Sequence, residues 1–125
     1  MNPPVDWSAS SYEELVRRHV WRIPDRLNIA TLAVDRHADG SGRPGLYYRD
    51  QDGGSGVSSF DQLKEWSDRL AAGLTRIGIT QGDRVAVFLP QRLETALAHL
   101  AAAKAGAISV PLSPLFREDA LEYRL

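Results

Sequence analysis

Apolar positions change their spacing several times between Phe60 and Leu112, and each change marks an element. Leu63, Trp66, Leu70, Leu74 and Ile77 recur at intervals of three and four, the period of one helix face, so a helix is expected over 60–77. Ser59 followed by Gln62 has the spacing of a capping box, in which the two side chains satisfy each other's exposed backbone N–H groups. Gly78 suits the helix end. Gly73 inside it costs about 1 kcal/mol relative to alanine, so a second backbone is expected close by. Val85-Ala86-Val87-Phe88-Leu89 is then apolar without alternation, the pattern of a strand covered on both faces. The alanine-rich run 93–105 reads as a helix capped by Gly106, and 107–112 as a second buried strand. A right-handed crossover makes the two strands parallel.

Upstream, Tyr12 to Ile23 has helical spacing, with Leu15, Val16, His19 and Val20 on the inner face and Pro24 as terminator. Ser11 and Glu14 form a second capping-box pair. A shorter helix is expected over 28–36, with Ile29, Leu32 and Ala33 inward. Asp39-Gly40-Ser41-Gly42-Arg43-Pro44-Gly45 is a loop. Residues 46–49 and 57–58 are the arms of a hairpin turning at 52–56. Residues 117–125 begin a further amphipathic helix. The fold class is therefore α/β: a parallel βαβ unit with flanking helices and a short β-hairpin. Two parallel strands leave an unpaired apolar edge, which proteins avoid exposing. The domain is expected to be incomplete, the N-terminal part of a larger fold, with the edge covered by the rest of the polypeptide or by a second copy.

Composition narrows the partners more than the chemistry. A net charge of −1 gives no electrostatic reason for nucleic-acid or anionic-membrane binding. The absence of cysteine excludes disulfides, thiol catalysis and thiolate metal sites. The start, Met1-Asn2-Pro3-Pro4-Val5-Asp6, lacks the basic and apolar regions of a secretory signal. The most apolar stretch, 93–112, is broken by Glu94, His99 and Lys104, so no membrane span is expected. A cytoplasmic protein is the expectation.

Candidate chemistry is sparse. Asp52-Gly53-Gly54-Ser55-Gly56 has the glycines of a phosphate loop, but it links two strands and no lysine or hydroxyl-bearing helix start follows; it reads as a turn. Asp35, His37 and Asp39 have the residue types of a metal site, yet on a helix positions two apart face different ways; a solvated helix end is expected. His99 stands among alanines with no neighbour to orient it, and His19 reads as a packing residue. Asp83-Arg84 after Gly82 is either an ion pair or ligand clamp, or more plainly a polar turn entering a strand, and has too few partners for catalysis. Ser113 to Arg117 leaves the carboxyl end of a parallel strand, where such sheets bind ligands; it is the most plausible place of substrate contact, although a structural loop is the plainer reading.

The order of these elements is more specific than any one of them. Ser59-Phe60-x-x-Leu63, Leu70-Ala71-x-Gly73-Leu74, Gly78-Ile79, Gly82-Asp83-Arg84-Val85-Ala86, Leu89-Pro90, Lys104-Ala105-Gly106-Ala107 and Val110-Pro111-Leu112 follow one another over residues 59–116. Together they resemble the start of the adenylate-forming enzymes, and more narrowly the AMP-forming acyl-CoA synthetases of the acetate and medium-chain acid type. The resemblance runs from about Asn28 onward. It implies a helical extension over 1–27 and a partial AMP-binding subdomain over 28–125.

In that family a carboxylate attacks ATP to give an acyl-adenylate and pyrophosphate, and coenzyme A then displaces AMP. The resemblance therefore implies ATP, magnesium and coenzyme A for the parent enzyme, with none bound tightly by this chain, and a carboxylic acid as substrate. The family's phosphate loop ending in lysine, its aromatic-Thr-Glu element, its ribose-binding aspartate and its C-terminal-domain lysine have no counterpart in these 125 residues. No catalytic, cofactor-binding or metal residue is assigned. The chain is expected to be inactive by itself. Two alternatives stay open: part of an adenylation domain that loads a carrier protein, and a small non-catalytic α/β interaction module.

Overall fold

The computed structural model describes residues 7–21, 24–50 and 52–125. Helix α1 spans Tyr12–Arg18, shorter than its periodicity suggests. Ser11 Oγ accepts the Glu14 N–H at 3.2 Å as expected, whereas the Glu14 carboxylate receives the N–H and hydroxyl of Ser10 at 2.8 and 2.5 Å. His19 is already extended, with φ −75° and ψ 119°; Ile23, the expected last residue, lies outside the described residues. No residue of α1 is buried, and Val16 and Val20, expected inward, are exposed. Without a buried face a short helix has little beyond local propensity to extend it.

Helix α2 is Ile29–Ala33, followed by a 3₁₀ turn at Asp35–His37. Its inward residues are Ala30 and Val34; Ile29, Leu32 and Ala33 face outward, contrary to expectation. Asn28 sets this orientation. Its side-chain oxygen accepts the Ala30 N–H at 3.0 Å while Nδ2 donates to Ala103 O at 2.7 Å. One residue thus caps α2 and ties it to the far end of α4.

Strands β1 (Pro44–Arg49) and β2 (Ser55–Ser59) form an antiparallel hairpin with an irregularity between Pro44 and Leu46. Helix α3 (Phe60–Arg76) follows without a break. Both halves of its capping box are present: Gln62 N–H donates to Ser59 Oγ at 3.1 Å and Ser59 N–H to Gln62 Oε1 at 2.9 Å. Gly78, at φ 101°, takes the left-handed conformation after the helix end. The Asp61 carboxylate in the first turn accepts the N–H groups of Gly40 and Gly42 at 2.8 and 3.0 Å, anchoring the loop that precedes β1.

Helix α4 (Leu93–Lys104) packs on α3. The buried residues at hand are small: Ser67 and Ala71 on α3, Ala101 and Ala102 on α4. Small side chains let the two backbones approach, and Ser67 satisfies its hydroxyl internally by donating to Leu63 O at 2.6 Å. The burial line of α3 therefore runs through Leu63, Ser67 and Ala71, while Leu70 and Ile77 of the apolar stripe stay exposed. A Cβ on Gly73 would meet no heavy atom of the described residues within 4 Å, so the close backbone expected there is absent among them.

Strands β3 (Arg84–Phe88) and β4 (Ile108–Leu112) pair in parallel, with Ala86 opposite Val110 and Phe88 opposite Leu112. That register gathers Arg84, Ala86, Phe88, Ile108, Val110 and Leu112 on one face, and Val85, Val87, Ser109 and Pro111 on the other. α4 lies across the second face. On the first, Ala86, Phe88 and Ile108 are exposed. The strand expected to be covered on both sides is covered on one, because α3 and α4 pack against each other and leave no described element for the opposite side. Helix α5 (Glu118–Glu122) buries none of its residues. No helix among the described residues is long and apolar enough to cross a membrane.

Lys104 joins three elements. Its side chain is 9% exposed, and Nζ lies 2.7 Å from Asp35 Oδ1 and 2.5 Å from Asp68 Oδ1. It also donates to Lys64 O at 3.4 Å. The Asp35 contact is a charge pair out of hydrogen-bond alignment, for Oδ1 is buried without a hydrogen bond. Asp68 also receives Lys64 Nζ at 2.6 Å. Burial opposes ionisation of Asp68, but the hydrogen bonds and charges of Lys104 and Lys64 outweigh it and hold its carboxyl below the ordinary aspartate value.

Four substitutions test this packing. Replacing Lys104 by Met leaves Asp35 unpaired and Asp68 with Lys64 alone, and should cost about 2–3 kcal/mol in urea unfolding, less than a fully buried pair because Asp68 is partly solvated and keeps one cation. The pairing of Asp68 stabilises above the ordinary aspartate pKa and is lost as pH falls through the depressed folded value; Asp68→Asn should remove that segment of the acid-unfolding curve. Gly73→Ala should stabilise by about 1 kcal/mol through helix propensity. Gly45→Ala should destabilise by about 1–2 kcal/mol, since its Cβ would sit 3.0 Å from Phe60 N and from Leu63 Cδ1. Thermal melts of the two glycine variants should therefore move in opposite directions.

Candidate functional site

β3 and β4 end together, Phe88 opposite Leu112, and the chain beyond each strand turns away from the sheet. Between these exits lies a cleft of about 690 Å³. Val87, Leu89, Pro90, Pro111 and Leu112 supply apolar wall, and Ser113, Pro114 and Leu115 close one side. Arg49 and Asp50 reach it from the end of β1; Gln91, Thr95 and His99 reach it from the start of α4. The expected contact loop, Ser113 to Arg117, thus contributes its first three residues. It is shaped locally, Ser113 Oγ accepting the Leu115 N–H at 3.2 Å and Ser113 O the Phe116 N–H at 3.0 Å.

The Leu89-Pro90 turn is built to start a helix. Thr95 Oγ1 donates to Pro90 O at 2.5 Å, holding the first turn of α4 against the strand exit. Arg92 occupies the N-cap position without a side-chain cap, and its guanidinium instead grips Glu94 at 2.6 and 3.0 Å. That pair keeps the Glu94 carboxyl below its ordinary value and raises Arg92.

His99 corrects the sequence reading. Its Nδ1 lies 2.6 Å from Ser109 Oγ, so a strand residue ten positions on orients the ring. Neither the spacing nor the alanine surroundings reveals this, because the partner comes from β4 folded back beneath the helix. A register argument would find it, since Ser109 shares the α4-facing side with Val85 and Val87. The histidine is half-buried, as expected. His19 is half-buried edge-on to Trp21 at 4.6 Å, against an exposed ring rather than a core.

The remaining candidates are placed apart. Asp50 Oδ1 accepts the N–H groups of Asp52 and Gly54 at 3.0 and 2.7 Å, which closes the hairpin turn before Ser55; Ser55 and Gly56, expected within it, already pair with β1. Asp35 is tied to Lys104 and is not the solvated helix end expected. His37 accepts Arg36 Nε at 2.9 Å and lies on the Phe60 ring, while Asp39 accepts the Ser41 N–H at 3.0 Å. The three do not converge, and no group of three or more His, Asp or Glu among the described residues has metal-binding geometry. Asp83 takes the N–H and hydroxyl of Thr80 at 2.7 and 2.8 Å, which depress its carboxyl; Asp83-Arg84 is a turn, not a clamp.

A nucleoside triphosphate does not fit this set. The cleft has no lysine and no run of free backbone N–H groups at a glycine-rich turn, and its one guanidinium stands beside a carboxylate. The chemistry available at the cleft is that of a small apolar surface rimmed by hydrogen-bonding groups.

A family model of the AMP-binding enzymes matches residues 35–125. The acetyl-coenzyme A synthetase of Streptomyces coelicolor is 34% identical over 123 residues, 97% of this chain and 18% of that protein. That of Bacillus subtilis is 35% identical over 132 aligned positions, 96% of this chain and 23% of that protein. The crystal structure of an acyl-CoA synthetase from Brucella canis superposes with a TM-score of 0.74 at 33% identity, over 78% of this chain and 18% of the other. This chain therefore spans about a fifth of the length of the curated relatives it matches. The α/β arrangement, the order of motifs from Ser59 to Leu112 and these likenesses agree: the chain belongs to the family of AMP-binding enzymes, among the adenylate-forming acyl-CoA ligases.

Proposed function

We propose that these residues are the amino-terminal scaffold of a ligase that converts a small carboxylic acid, ATP and coenzyme A into an acyl-CoA by way of an acyl-adenylate. The observation that carries this reading is the reach of the match. Two acetyl-coenzyme A synthetases align over 96–97% of this chain, so the likeness takes in most of the extension that precedes the βαβ unit as well as the AMP-binding region. Acetate and its short homologues are the first acids to try.

The chemical logic is that a free carboxylate resists nucleophiles, whereas its anhydride with AMP carries a good leaving group. Magnesium offsets phosphate charge in that reaction. In this chain, the residues described supply position rather than chemistry. Small side chains on α3 and α4, the Lys104 pairs and the Asn28 bond hold the helices on one face of the parallel strands. Ala86, Phe88 and Ile108 then offer the other face, and further polypeptide of the same enzyme is proposed to cover it. ATP and coenzyme A are held by that further polypeptide, and the 125 residues alone are proposed to be inactive.

Two measurements test the reading. Incubated with acetate, ATP, magnesium and coenzyme A, the 125-residue chain should release no AMP, and turnover by it would refute the scaffold role. The coding sequence that adjoins residue 125 should encode a Ser/Thr/Gly-rich run ending in lysine. The longer product should exchange pyrophosphate into ATP when acetate is present. A sequence without that run, or a product without exchange on any short acid, counts against the ligase.

A further inference from the structure

Nothing among the described residues calls for glycine at position 73. It lies inside α3 and is not one of the glycines with positive φ, so its backbone would accept any side chain. A Cβ built on it would meet no heavy atom within 4 Å. Glycine weakens a helix relative to alanine, and close approach by a second backbone is the usual physical reason to keep it there. The positions around it are apolar and uncovered. Leu70, Gly73, Leu74 and Ile77 share one helix face by their spacing of three and four. Leu70 is 40% exposed and Ile77 76%. That face runs into an apolar groove of about 340 Å³, which Leu70 and Leu74 line together with Phe88, Leu89 and Ala98. Single exposed leucines are ordinary. Here two exposed apolar side chains, an unexplained glycine and a groove make one surface, which marks an interaction site.

The rim of this surface is basic. Arg69 and Arg76 stand one turn either side of Gly73. Arg69 is paired with Glu65 at 2.8 Å, whereas the Arg76 guanidinium has no partner among the described residues. We propose that this face of α3 seats a further segment of the same polypeptide. The segment brings its backbone against Gly73, lays apolar side chains between Leu70 and Ile77 and into the groove, and sets a carboxylate beside Arg76, the partner a guanidinium prefers. The inference rests on the reading that these residues open a longer ligase, since the chain spans about a fifth of the relatives it matches over nearly all its length. It extends the cover proposed for Ala86, Phe88 and Ile108 around the edge of β3 that β4 leaves unpaired and onto the helix layer.

These 125 residues contain no cysteine, so a single introduced thiol reports on the face. The test uses the protein expressed with its adjoining coding sequence. Ile77→Cys and, on the exposed side of the same helix, Ala72→Cys are each reacted with a maleimide and followed by peptide mass spectrometry, with the urea-unfolded protein as the reference rate. Ile77→Cys should react about tenfold or more slowly than Ala72→Cys, because a covered thiol waits for local opening. That ratio should not change with protein concentration. Adding Arg76→Glu, which sets like charges together, should speed the reaction at Ile77→Cys. Gly73→Ala should lower the melting temperature of this longer protein, the reverse of its effect on the 125 residues alone. The proposal is overturned by equal rates at the two positions, by indifference to Arg76→Glu, by a Gly73→Ala protein that melts higher, or by protection lost on dilution, which would give the face to a second copy. Failure of the ligase reading is read separately: a product without pyrophosphate exchange but with Ile77→Cys protected refutes the ligase alone, and exchange with Ile77→Cys fully reactive refutes the seat alone.

Discussion

The arrangement depends on one buried cation. Lys104 ends α4, and its ammonium is shared between Asp35 of the 3₁₀ turn and Asp68 of α3. Desolvating a lysine is costly unless the geometry returns the charge, so the three elements must meet correctly or not at all. Two upstream elements are anchored at this end of α4: α2 through Asn28 on Ala103, and the 3₁₀ turn through Asp35. Helix α1, which has no such attachment, buries none of its residues.

That clamp fixes the angle at which α4 crosses the strands, and the crossing determines what the cleft can be. His99 and Thr95 lie on the same helix as Lys104. Thr95 binds the carbonyl at the exit of β3, and His99 binds a hydroxyl on β4. The helix is therefore pinned just beyond the carboxyl end of β3, on the side where parallel sheets place ligands, and near the amino end of β4. On the opposite face of the sheet Ala86, Phe88 and Ile108 are left exposed. Two different surfaces result from one helix: a polar-rimmed cleft on one side, and a bare layer on the other for further polypeptide.

Much of this was legible in the residues and some was not, for physical reasons. The Ser59–Gln62 capping box, the hairpin and the parallel strand pair depend on local chemistry or strict period and form as expected, whereas at Ser11–Glu14 only the Ser11 half of the box is seen and the Glu14 carboxylate binds Ser10. Burial direction is a tertiary property. The apolar stripe through Leu70 and Ile77 is real, but the residues that face α4 are Ser67 and Ala71, because a close helix contact selects for small size over hydrophobicity. Ile29 and Leu32 mislead in the same way: a hydrogen bond from Asn28 to a distant carbonyl decides which side of α2 turns inward. Of the cleft, the Ser113–Leu115 wall could be foreseen from the strand end. The His99–Ser109 pair and the reach of Arg49 could not, since both bring together separate segments of chain. Lys104 was visible as part of a family motif, yet its partners are 36 and 69 positions away in sequence.

The hold of Asp61 on the loop before β1 bears on how the chain ages. An aspartate followed by glycine is a weak point, because the glycine nitrogen can lose its proton and close onto the preceding side chain as a succinimide, which reopens to a rearranged backbone. At Asp39-Gly40 that nitrogen donates its proton to the Asp61 carboxylate at 2.8 Å, and a negative partner makes deprotonation harder. At Asp52-Gly53 the corresponding N–H reaches a neutral carbonyl at 3.3 Å. Two identical dipeptides thus differ in durability, and isoaspartate should accumulate first at the tip of the hairpin.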